Sequence, residues 1–389
     1  MTVPVSLSSM DRPGAFRYAK LVYRHLTARQ PDFRPFSGSL AVPRQAEFLI
    51  GPDRGRPCNL NCWYCEGKLL KKTLQPTIKP LIQLIKDLRG AIPLIVLSGA
   101  FTEPTLNPRL IDLLEAIKAS GSNFGLHTNG TLLPALEKKQ HFISRLVELS
   151  TNDDYLTESI DGATPASWAR TKRVSNSSLF NSILLGLKIL SRLKAKKHAS
   201  SAIIRTNYLL DNNNFYKVYL GAFVHIMSGL DVDTVRFSIP YPPYMSSEAT
   251  DRKHREFFEQ PLYSKVWPYL MPLLSRGSEK PFIFALPPET QNLSHTSFHH
   301  CFAGYAQITV GTHGKIGPCP STANSSFPTL SLGDLTSSAE EFLLRIQANQ
   351  NSEFDPKTDC FQLGGVCTRA LLEVNQLFED HYFRGQKVF

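Results

Sequence analysis

The sequence predicts an α/β fold, a partial (β/α)6 TIM barrel followed by a small α+β domain at the C-terminal end. Two observations lead to this prediction. Between residues 46 and 240, short apolar runs alternate about six times with longer segments of helical periodicity. Beyond residue 300, a hairpin pattern is followed by helical segments. Because a closed barrel has eight strand–helix units, six units indicate an open, partial barrel.

The elements of the barrel follow from these runs in order. The predicted strands are Ala46–Ile50, Leu94–Ser98, Asn123–Thr128, Tyr155–Asp161, Ala202–Leu209 and Val232–Ile239. The predicted helices are Ile78–Leu88, Pro108–Ala119, Glu137–Leu149, Ser177–Leu193 and Phe215–Met227. Asn107 is a helix-capping residue before a proline, and Gly121 is typical of a helix end, so the second of these helices is bounded on both sides.

The rest of the chain lies on either side of the barrel. The four predicted parts are a basic N-terminal extension (1–45), the barrel (46–240), a proline-rich bridge (241–300) and the C-terminal domain (301–389). The extension is interpreted as a helical turn or two followed by an extended segment. The bridge carries one helix near Leu262–Leu274. The C-terminal domain begins with a hairpin, in which Tyr305–Val310 is the first strand, Gly311–Gly314 the turn and Lys315 the start of the second strand. It ends in helices at Ala339–Gln347 and Thr368–Phe378.

Composition excludes several classes of protein. No apolar stretch approaches the roughly 20 residues that a membrane helix needs, so no membrane span is expected. The segment Met1–Met10 is polar and lacks the pattern of a secretory leader, which predicts a cytoplasmic location. Seven cysteines cannot all pair within one chain, and disulfides are rare in a reducing compartment. The cysteines therefore require another explanation.

Three cysteines follow the first predicted strand at CxxxCxxC spacing. They are Cys58, Cys62 and Cys65. A short loop can bring three thiolates to one metal centre. Three are one fewer than a closed zinc site or a fully ligated cubane cluster uses, so another group must occupy the fourth position. A zinc ion with a remote fourth ligand stays open as an alternative.

This spacing, with Tyr64 just before the last cysteine, resembles the radical S-adenosylmethionine (SAM) superfamily. The resemblance implies that Cys58, Cys62 and Cys65 hold a [4Fe–4S] cluster whose open iron binds SAM, with Tyr64 near the adenine. It also implies that an electron from an external donor such as flavodoxin or ferredoxin cleaves SAM to a 5′-deoxyadenosyl radical. That radical would abstract a hydrogen atom from the substrate.

Later strand ends resemble the same family in the same order. Gly99 and Glu103 lie in a segment similar to the turn that holds the SAM amino group, although the glycines are displaced. Thr128 and Asn129 end the third strand, where the family contacts SAM. Asn129 followed by Gly130 is equally typical of a simple turn.

The fourth to sixth strands supply further candidates. Ser159 is expected to contact SAM, and Arg173 or Arg170 is expected to pair with the SAM carboxylate. The candidate substrate residues are His127, Asp161, Arg205, Asn207 and Ser238. Arg205 and Asn207 alternate with apolar neighbours, which places them on one face. A buried arginine is costly unless it is paired, so Arg205 is interpreted as a ligand contact or as one half of a structural ion pair.

The other four cysteines lie beyond the barrel. They are Cys301, Cys319, Cys360 and Cys367. The first two flank the hairpin in a way that resembles the SPASM and twitch domains of radical SAM enzymes. The resemblance implies one auxiliary [4Fe–4S] cluster held by all four thiolates. A structural zinc ion fits the same count and stays open.

The function expected from this resemblance is hydrogen abstraction from a small molecule such as a sugar, an amino sugar or a natural product. The auxiliary cluster would transfer electrons and make the net reaction an oxidation. Three alternatives stay open: maturation of a ribosomally made peptide, RNA modification, and a zinc-bound interaction protein. RNA modification is considered because the N-terminal segment is basic and the chain has a formal charge of +10, although scattered basic residues usually form a solvated surface.

Overall fold

Nine strands form a single sheet in this computed structural model, which describes residues 12–53, 55–65, 78–99, 102–197, 201–211, 213–238, 262–275, 280–285, 298–312, 314–324, 338–351 and 369–389. The strands are β1 (Gln45–Leu49), β2 (Leu94–Ser98), β3 (Asn123–Thr128), β4 (Tyr155–Ser159), β5 (Ile203–Leu209), β6 (Thr234–Ser238), β7 (Phe282–Ala285), β8 (Gln307–Val310) and β9 (Ile316–Gly317).

The helices alternate with these strands along the barrel. They are α1 (Arg12–Arg29), α2 (Ile78–Asp87), α3 (Leu110–Ala119), α4 (Leu133–Gln140), α5 (Phe142–Leu149), α6 (Pro165–Lys172), α7 (Leu179–Lys197), α8 (Lys217–Gly229), α9 (Leu262–Leu274), α10 (Ala303–Ala306), α11 (Pro320–Asn324), α12 (Ala339–Gln350) and α13 (Arg369–Tyr382). A 3₁₀ turn covers Pro104–Leu106. None of the helices in the described ranges has the length and apolar character that a bilayer span requires.

The sheet order is β7-β6-β5-β4-β3-β2-β1-β8-β9. The six predicted strands are therefore confirmed, since β1 to β6 are neighbours in chain order and every pair is parallel. The sheet also extends at both edges. β7 adds in parallel to β6, and β8 adds in parallel to β1 while pairing with β9 as the predicted antiparallel hairpin.

The two faces of the sheet differ in chemistry. One face packs against the helices through apolar residues such as Phe48, Leu97 and Leu126, which join the main core. Because side chains alternate along a strand, the residues between them lie on the opposite face, called here the inner face. Many of these are polar or charged, and they are Gln45, Glu47, Asn123, His127, Thr157, Ser159, Arg205, Asn207, Thr234, Arg236, Ser238 and Thr309.

One predicted helix is interrupted, and one predicted strand ends earlier than the sequence pattern indicated. The helix expected over Glu137–Leu149 is two helices, α4 and α5, because His141 between them has a left-handed backbone with φ of 54°. The strand expected over Tyr155–Asp161 stops at Ser159, and Asp161 has φ of 56°. Neither break involves a glycine or a proline at the break itself, so local composition did not signal it.

The N-terminal segment is more helical than predicted. Instead of a turn or two, α1 has 18 residues. Tyr18, Ala19, Val22 and Leu26 recur at helical spacing and pack with Val374 and others of α13 in a second, smaller core. That packing stabilises the helix, and it brings the predicted N-terminal extension and the predicted C-terminal domain into contact.

Strand β7 was missed because it lies in the segment interpreted as a bridge. Its four residues, Phe282–Ala285, are too short and too close to prolines to be distinguished from a loop by periodicity. The helix predicted in the same bridge at Leu262–Leu274 is confirmed. The division of the chain into four domains stays an interpretation.

Candidate functional site

The loop after β1 carries the three clustered cysteines at the C-terminal edge of the sheet. Cys58, Cys62 and Cys65 are all partly buried, and none of the three forms a disulfide within the described residues. The Cys65 N–H donates to the Cys62 carbonyl at 3.1 Å, and the Leu60 N–H donates to the Cys58 sulfur at 3.4 Å. This edge of a parallel barrel is where catalytic groups collect, because each strand ends there.

Hydrogen bonds tie this cysteine loop to the ends of neighbouring elements. They join Glu103 N–H to the Pro57 carbonyl (2.9 Å), Asn59 Nδ2 to Thr131 Oγ1 (2.8 Å), Asn129 Nδ2 to Asn59 Oδ1 (2.8 Å), Asn61 N–H to the Lys172 carbonyl (3.2 Å) and Trp63 Nε1 to Asp211 Oδ2 (2.8 Å). The partners follow β2, β3 and β5 or lie at the end of α6. The rest of the chain therefore holds the loop in place.

Glu103 connects the ends of β2 and β3. Its Oε1 accepts hydrogen bonds from the Thr105 N–H (3.0 Å), the Thr105 hydroxyl (2.6 Å) and the Thr128 hydroxyl (2.5 Å). Its Oε2 accepts one from the Asn129 N–H at 2.8 Å. A carboxylate offers about four acceptor positions, two on each oxygen. Oε2 is therefore the oxygen with a position left, among the described contacts, for an ammonium group of a ligand.

Gly99 makes the turn before Glu103 possible. A Cβ atom at Gly99 would lie 2.0 Å from the Thr102 carbonyl oxygen and 2.9 Å from Pro104 Cδ. The Thr102 N–H also donates to the Gly99 carbonyl at 3.3 Å, which closes the turn. Backbone atoms leave no room for a side chain at this position. The glycine of the sequence motif, although displaced, is therefore required for a tight turn.

A buried ion pair lies on the other side of the cysteine loop. Asp161 Oδ2 accepts hydrogen bonds from the Tyr64 hydroxyl (2.6 Å), Lys172 Nζ (2.5 Å) and the Ser159 hydroxyl (3.3 Å). Its Oδ1 accepts from the Leu209 N–H at 2.7 Å. Asp161, predicted as a substrate contact, is thus held by protein groups, and Ser159 and Tyr64 belong to the same network.

Lys172 is the residue that sequence reasoning missed. Its side chain is buried at the ion pair, whereas the predicted Arg173 and Arg170 are exposed. Arg173 ends α6 with φ of 50°, and this left-handed turn carries the chain away from the site. A lysine is usually exposed, so only the fold identifies which of these three neighbouring basic residues is buried.

His127, Tyr155 and Arg205 contact one another on the inner face. His127 Nε2 lies 3.2 Å from the Tyr155 hydroxyl, and the Arg205 guanidinium lies 4.0 Å from the centre of the Tyr155 ring. Burial, followed by the charges of Arg205 and Arg236, lowers the pKa of His127 to about 3, so its ring is neutral at physiological pH. Burial likewise lowers the pKa of Arg205 to about 10, where it stays cationic.

Other predicted substrate residues lie on the same face. Asn207 and Ser238 are half-buried there, one strand apart. Across the sheet, Glu47 accepts a hydrogen bond from the Ser98 hydroxyl at 2.6 Å, and burial raises the pKa of Glu47. The inner face can therefore offer a cation, a neutral imidazole, an amide and hydroxyl groups to a polar ligand.

Glu158 is a buried carboxyl that faces the helices next to this site. In the part of the chain that the structure describes, neither carboxyl oxygen has a hydrogen-bond partner. Burial, with a smaller contribution from the Glu103 charge, raises the pKa of Glu158 well above its usual range. The folded protein therefore holds a proton there that the unfolded chain releases above about pH 4.3.

Replacing Glu158 with glutamine is expected to remove this pH dependence. Because the folded state binds the extra proton, the free energy of unfolding of the wild type falls as pH rises above the unfolded pKa, by about 1.4 kcal/mol per pH unit. The free energy of unfolding of Glu158→Gln should increase relative to that of the wild type as the pH rises above the unfolded pKa, measured by denaturant unfolding at several pH values. The exposed Glu340 provides the control, Glu340→Gln. Equal slopes for wild type and Glu158→Gln would contradict the assignment.

The cysteines beyond the barrel are only partly described. Cys301 and Cys319 are half-buried and pack against the small core of α1, α10 and α13. The Cys319 sulfur lies 3.6 Å from the Thr322 hydroxyl. Cys360 and Cys367 lie outside the described residues. The four-cysteine auxiliary site therefore stays a prediction.

The cysteine loop offers the three thiols that a [4Fe–4S] cluster with one open iron would use as ligands. Burial, with the Glu103 charge, raises the pKa of Cys58 to about 12, so its thiolate needs a metal centre to compensate it. Within the described ranges, no three His, Cys, Asp or Glu side chains are grouped as a single metal ion requires. A cubane differs, because each thiolate binds its own iron.

Comparisons with known proteins agree with this arrangement. Residues 54–207 match the family model of the Radical SAM superfamily. Over 120 residues the chain is 28% identical to the 7-carboxy-7-deazaguanine synthase of Rhodopirellula baltica, a match that covers 29% of this chain and 45% of that protein. The chain thus matches less than half of the length of this curated relative.

Solved structures show the same fold. SuiB from Streptococcus suis aligns with a TM-score of 0.56 at 12% identity over 86% of this chain and 72% of SuiB. Native anSMEcpe with bound AdoMet aligns with a TM-score of 0.56 at 17% identity over 87% of this chain and 97% of that chain. These likenesses confirm the α/β partial barrel predicted from the sequence.

Proposed function

Because residues 54–207 form a radical SAM domain, we propose that this protein is an enzyme that cleaves SAM and abstracts a hydrogen atom from a small polar molecule. Cys58, Cys62 and Cys65 would hold the [4Fe–4S] cluster. The bound cluster and SAM would together supply a 5′-deoxyadenosyl radical. One observation carries the proposal: the cysteine loop, Glu103 and the Asp161–Lys172 pair meet at the edge of the polar inner face.

The remaining steps belong to the protein's own residues. Glu103 Oε2 would accept a hydrogen bond from the SAM ammonium group, and Gly99 allows the backbone to approach closely. Thr128 and Asn129 donate hydrogen bonds to Glu103 next to the same position, and Tyr64 would lie near the adenine. Arg205, His127, Asn207 and Ser238 would orient the substrate, because a carbon radical reacts with the nearest C–H group. Leu94 and Val96 form a small buried apolar cluster with Tyr155, which would help to exclude water from the inner face.

A small molecule suits the charged and hydrogen-bonding groups that the strands themselves place on the inner face. A peptide is the second candidate. SuiB has been solved bound to the precursor peptide SuiA, and anSMEcpe bound to the Kp18Cys peptide. RNA and a zinc-bound interaction protein have no comparable support.

The test is anaerobic reconstitution followed by incubation with SAM and a reductant. We expect a brown protein with iron and sulfide that forms 5′-deoxyadenosine. Deuterated pools of metabolites, peptides and RNA, offered separately, should transfer deuterium into that product from the metabolite pool alone. A protein that binds only zinc, or that never cleaves SAM, would refute the proposal. Deuterium transfer from the peptide pool or the RNA pool would instead assign the substrate to that class.

The auxiliary cluster is proposed to accept the electron of the substrate radical, with flavodoxin or ferredoxin supplying the first electron. Its ligands would be Cys301, Cys319, Cys360 and Cys367. Replacing Cys360 or Cys367 with alanine should abolish substrate turnover while SAM cleavage without substrate falls much less. The ratio of product to 5′-deoxyadenosine measures this. Equal loss of both activities would exclude the electron-transfer role.

A further inference from the structure

We propose that Lys172 is a positioning residue that makes the cluster on Cys58, Cys62 and Cys65 easier to reduce, by holding a buried positive charge against the cysteine loop. The inference rests on the proposed function, because it concerns the cluster that these thiols would bind. It goes further in assigning a role in electron uptake to a residue outside the cysteine motif.

Lys172 contacts the cysteine loop on both sides of Cys62. Its carbonyl accepts a hydrogen bond from the Asn61 N–H at 3.2 Å, one residue before Cys62. Its Nζ donates to the Tyr64 hydroxyl at 2.9 Å, two residues after Cys62. Two contacts at opposite ends of the lysine fix the position of the ammonium group relative to this sulfur.

The charge of Lys172 is shielded little by water. Its side chain is 2% exposed, and that of Asp161 is fully buried. Charges interact more strongly in such surroundings than in solvent. Burial by itself lowers the pKa of Lys172, but the charge of Asp161, 2.5 Å away, acts in the opposite sense and the pKa is raised. It therefore keeps its positive charge.

Lys172 and Asp161 both lie against the cysteine loop, through the Tyr64 hydroxyl. This hydroxyl accepts a hydrogen bond from Lys172 Nζ at 2.9 Å and donates one to Asp161 Oδ2 at 2.6 Å. The Asp161 carboxylate is also held by the Leu209 N–H at Oδ1 and by the Ser159 hydroxyl at Oδ2. The two buried charges therefore act on the cysteine loop with opposite signs.

A positive field favours the reduced cluster. Reduction adds an electron to a centre that already carries the charge of three thiolates, and the potential of such clusters depends on nearby charge and on burial. Removing the Lys172 charge should make the potential more negative. Removing the Asp161 charge should make it less negative, because the lysine is then no longer counterbalanced.

Changes of opposite sign in the reduction potential on loss of the two charges distinguish an electrostatic role of Lys172 from a structural one. The variants are Lys172→Met, which keeps length without charge, Lys172→Arg, which keeps charge, and Asp161→Asn. Lys188, exposed on α7, gives the control Lys188→Met. The measurement is a redox titration of each full-length reconstituted protein, followed by electron paramagnetic resonance. The signal that changes when SAM is added identifies the cluster on the three clustered cysteines.

We expect the reduction potential of this cluster to be more negative in Lys172→Met, and less negative in Asp161→Asn, than in the wild type. Lys172→Arg and Lys188→Met should have the wild-type potential. Shifts in the same direction for both partners, or none, would overturn the inference. So would an unchanged potential with weaker SAM binding, which would assign the lysine to SAM instead. If Lys172→Met fails to assemble the cluster, the direction of the Asp161→Asn shift decides. A wild type without any SAM-sensitive signal would refute the proposed function itself.

Discussion

Replacing Cys58, Cys62 or Cys65 with alanine is expected to abolish formation of 5′-deoxyadenosine. Each thiolate would bind a different iron of the cluster, so no neighbouring thiol can substitute for it. The loss should exceed the roughly 10- to 100-fold decrease that follows removal of an outer partner of a metal site. Anaerobic assay of SAM cleavage, with iron and sulfide analysis of the same samples, measures both effects.

The matched control for these variants is Cys301→Ala. Cys301 is also a half-buried cysteine, but it packs against the small core of α1 and α13, away from the loop after β1. Its variant should keep SAM cleavage and lose only part of the iron. A Cys65→Ala protein with unchanged iron content and unchanged cleavage would contradict the assignment of the cysteine loop.

Replacing Gly99 with alanine is expected to have the second largest effect. The added Cβ would collide with the Thr102 carbonyl oxygen, and a backbone atom within a closed turn cannot move aside as a flexible side chain can. Overpacking of this kind costs about 1–3 kcal/mol of unfolding free energy. The turn carries Glu103, so SAM cleavage should fall together with stability. Denaturant unfolding and the SAM cleavage assay test the two effects.

Gly221→Ala is the control for this change. Gly221 lies in α8, and a Cβ there would have no atom within 4 Å. Alanine in a helix is favoured over glycine by about 0.5–1 kcal/mol, so this variant should be slightly more stable than the wild type. Equal stability of the two alanine variants would show that the Gly99 turn can relax, contrary to the geometry described above.

The site was predicted best where the signal is local in the chain. The spacing of Cys58, Cys62 and Cys65 and the position of Glu103 after a strand follow from sequence alone. The structure then places Glu103 against Thr128 and Asn129, whose predicted contact with SAM stays a prediction. By contrast, Lys172 was missed, because the packing of α6 buries its side chain and leaves Arg170 and Arg173 exposed.

Sequence alone determined the elements that local patterns specify. Strands β2 and β3 have the predicted bounds, and the order of strand and helix implied a parallel sheet. Tertiary structure decided the long-range pairings, such as β8 with β1, α1 with α13, and Asp161 with Lys172. Periodicity and residue spacing report neighbours within a few turns of chain. Which distant segments pack in one core or form an ion pair depends instead on burial, and burial is determined only when the whole chain has folded.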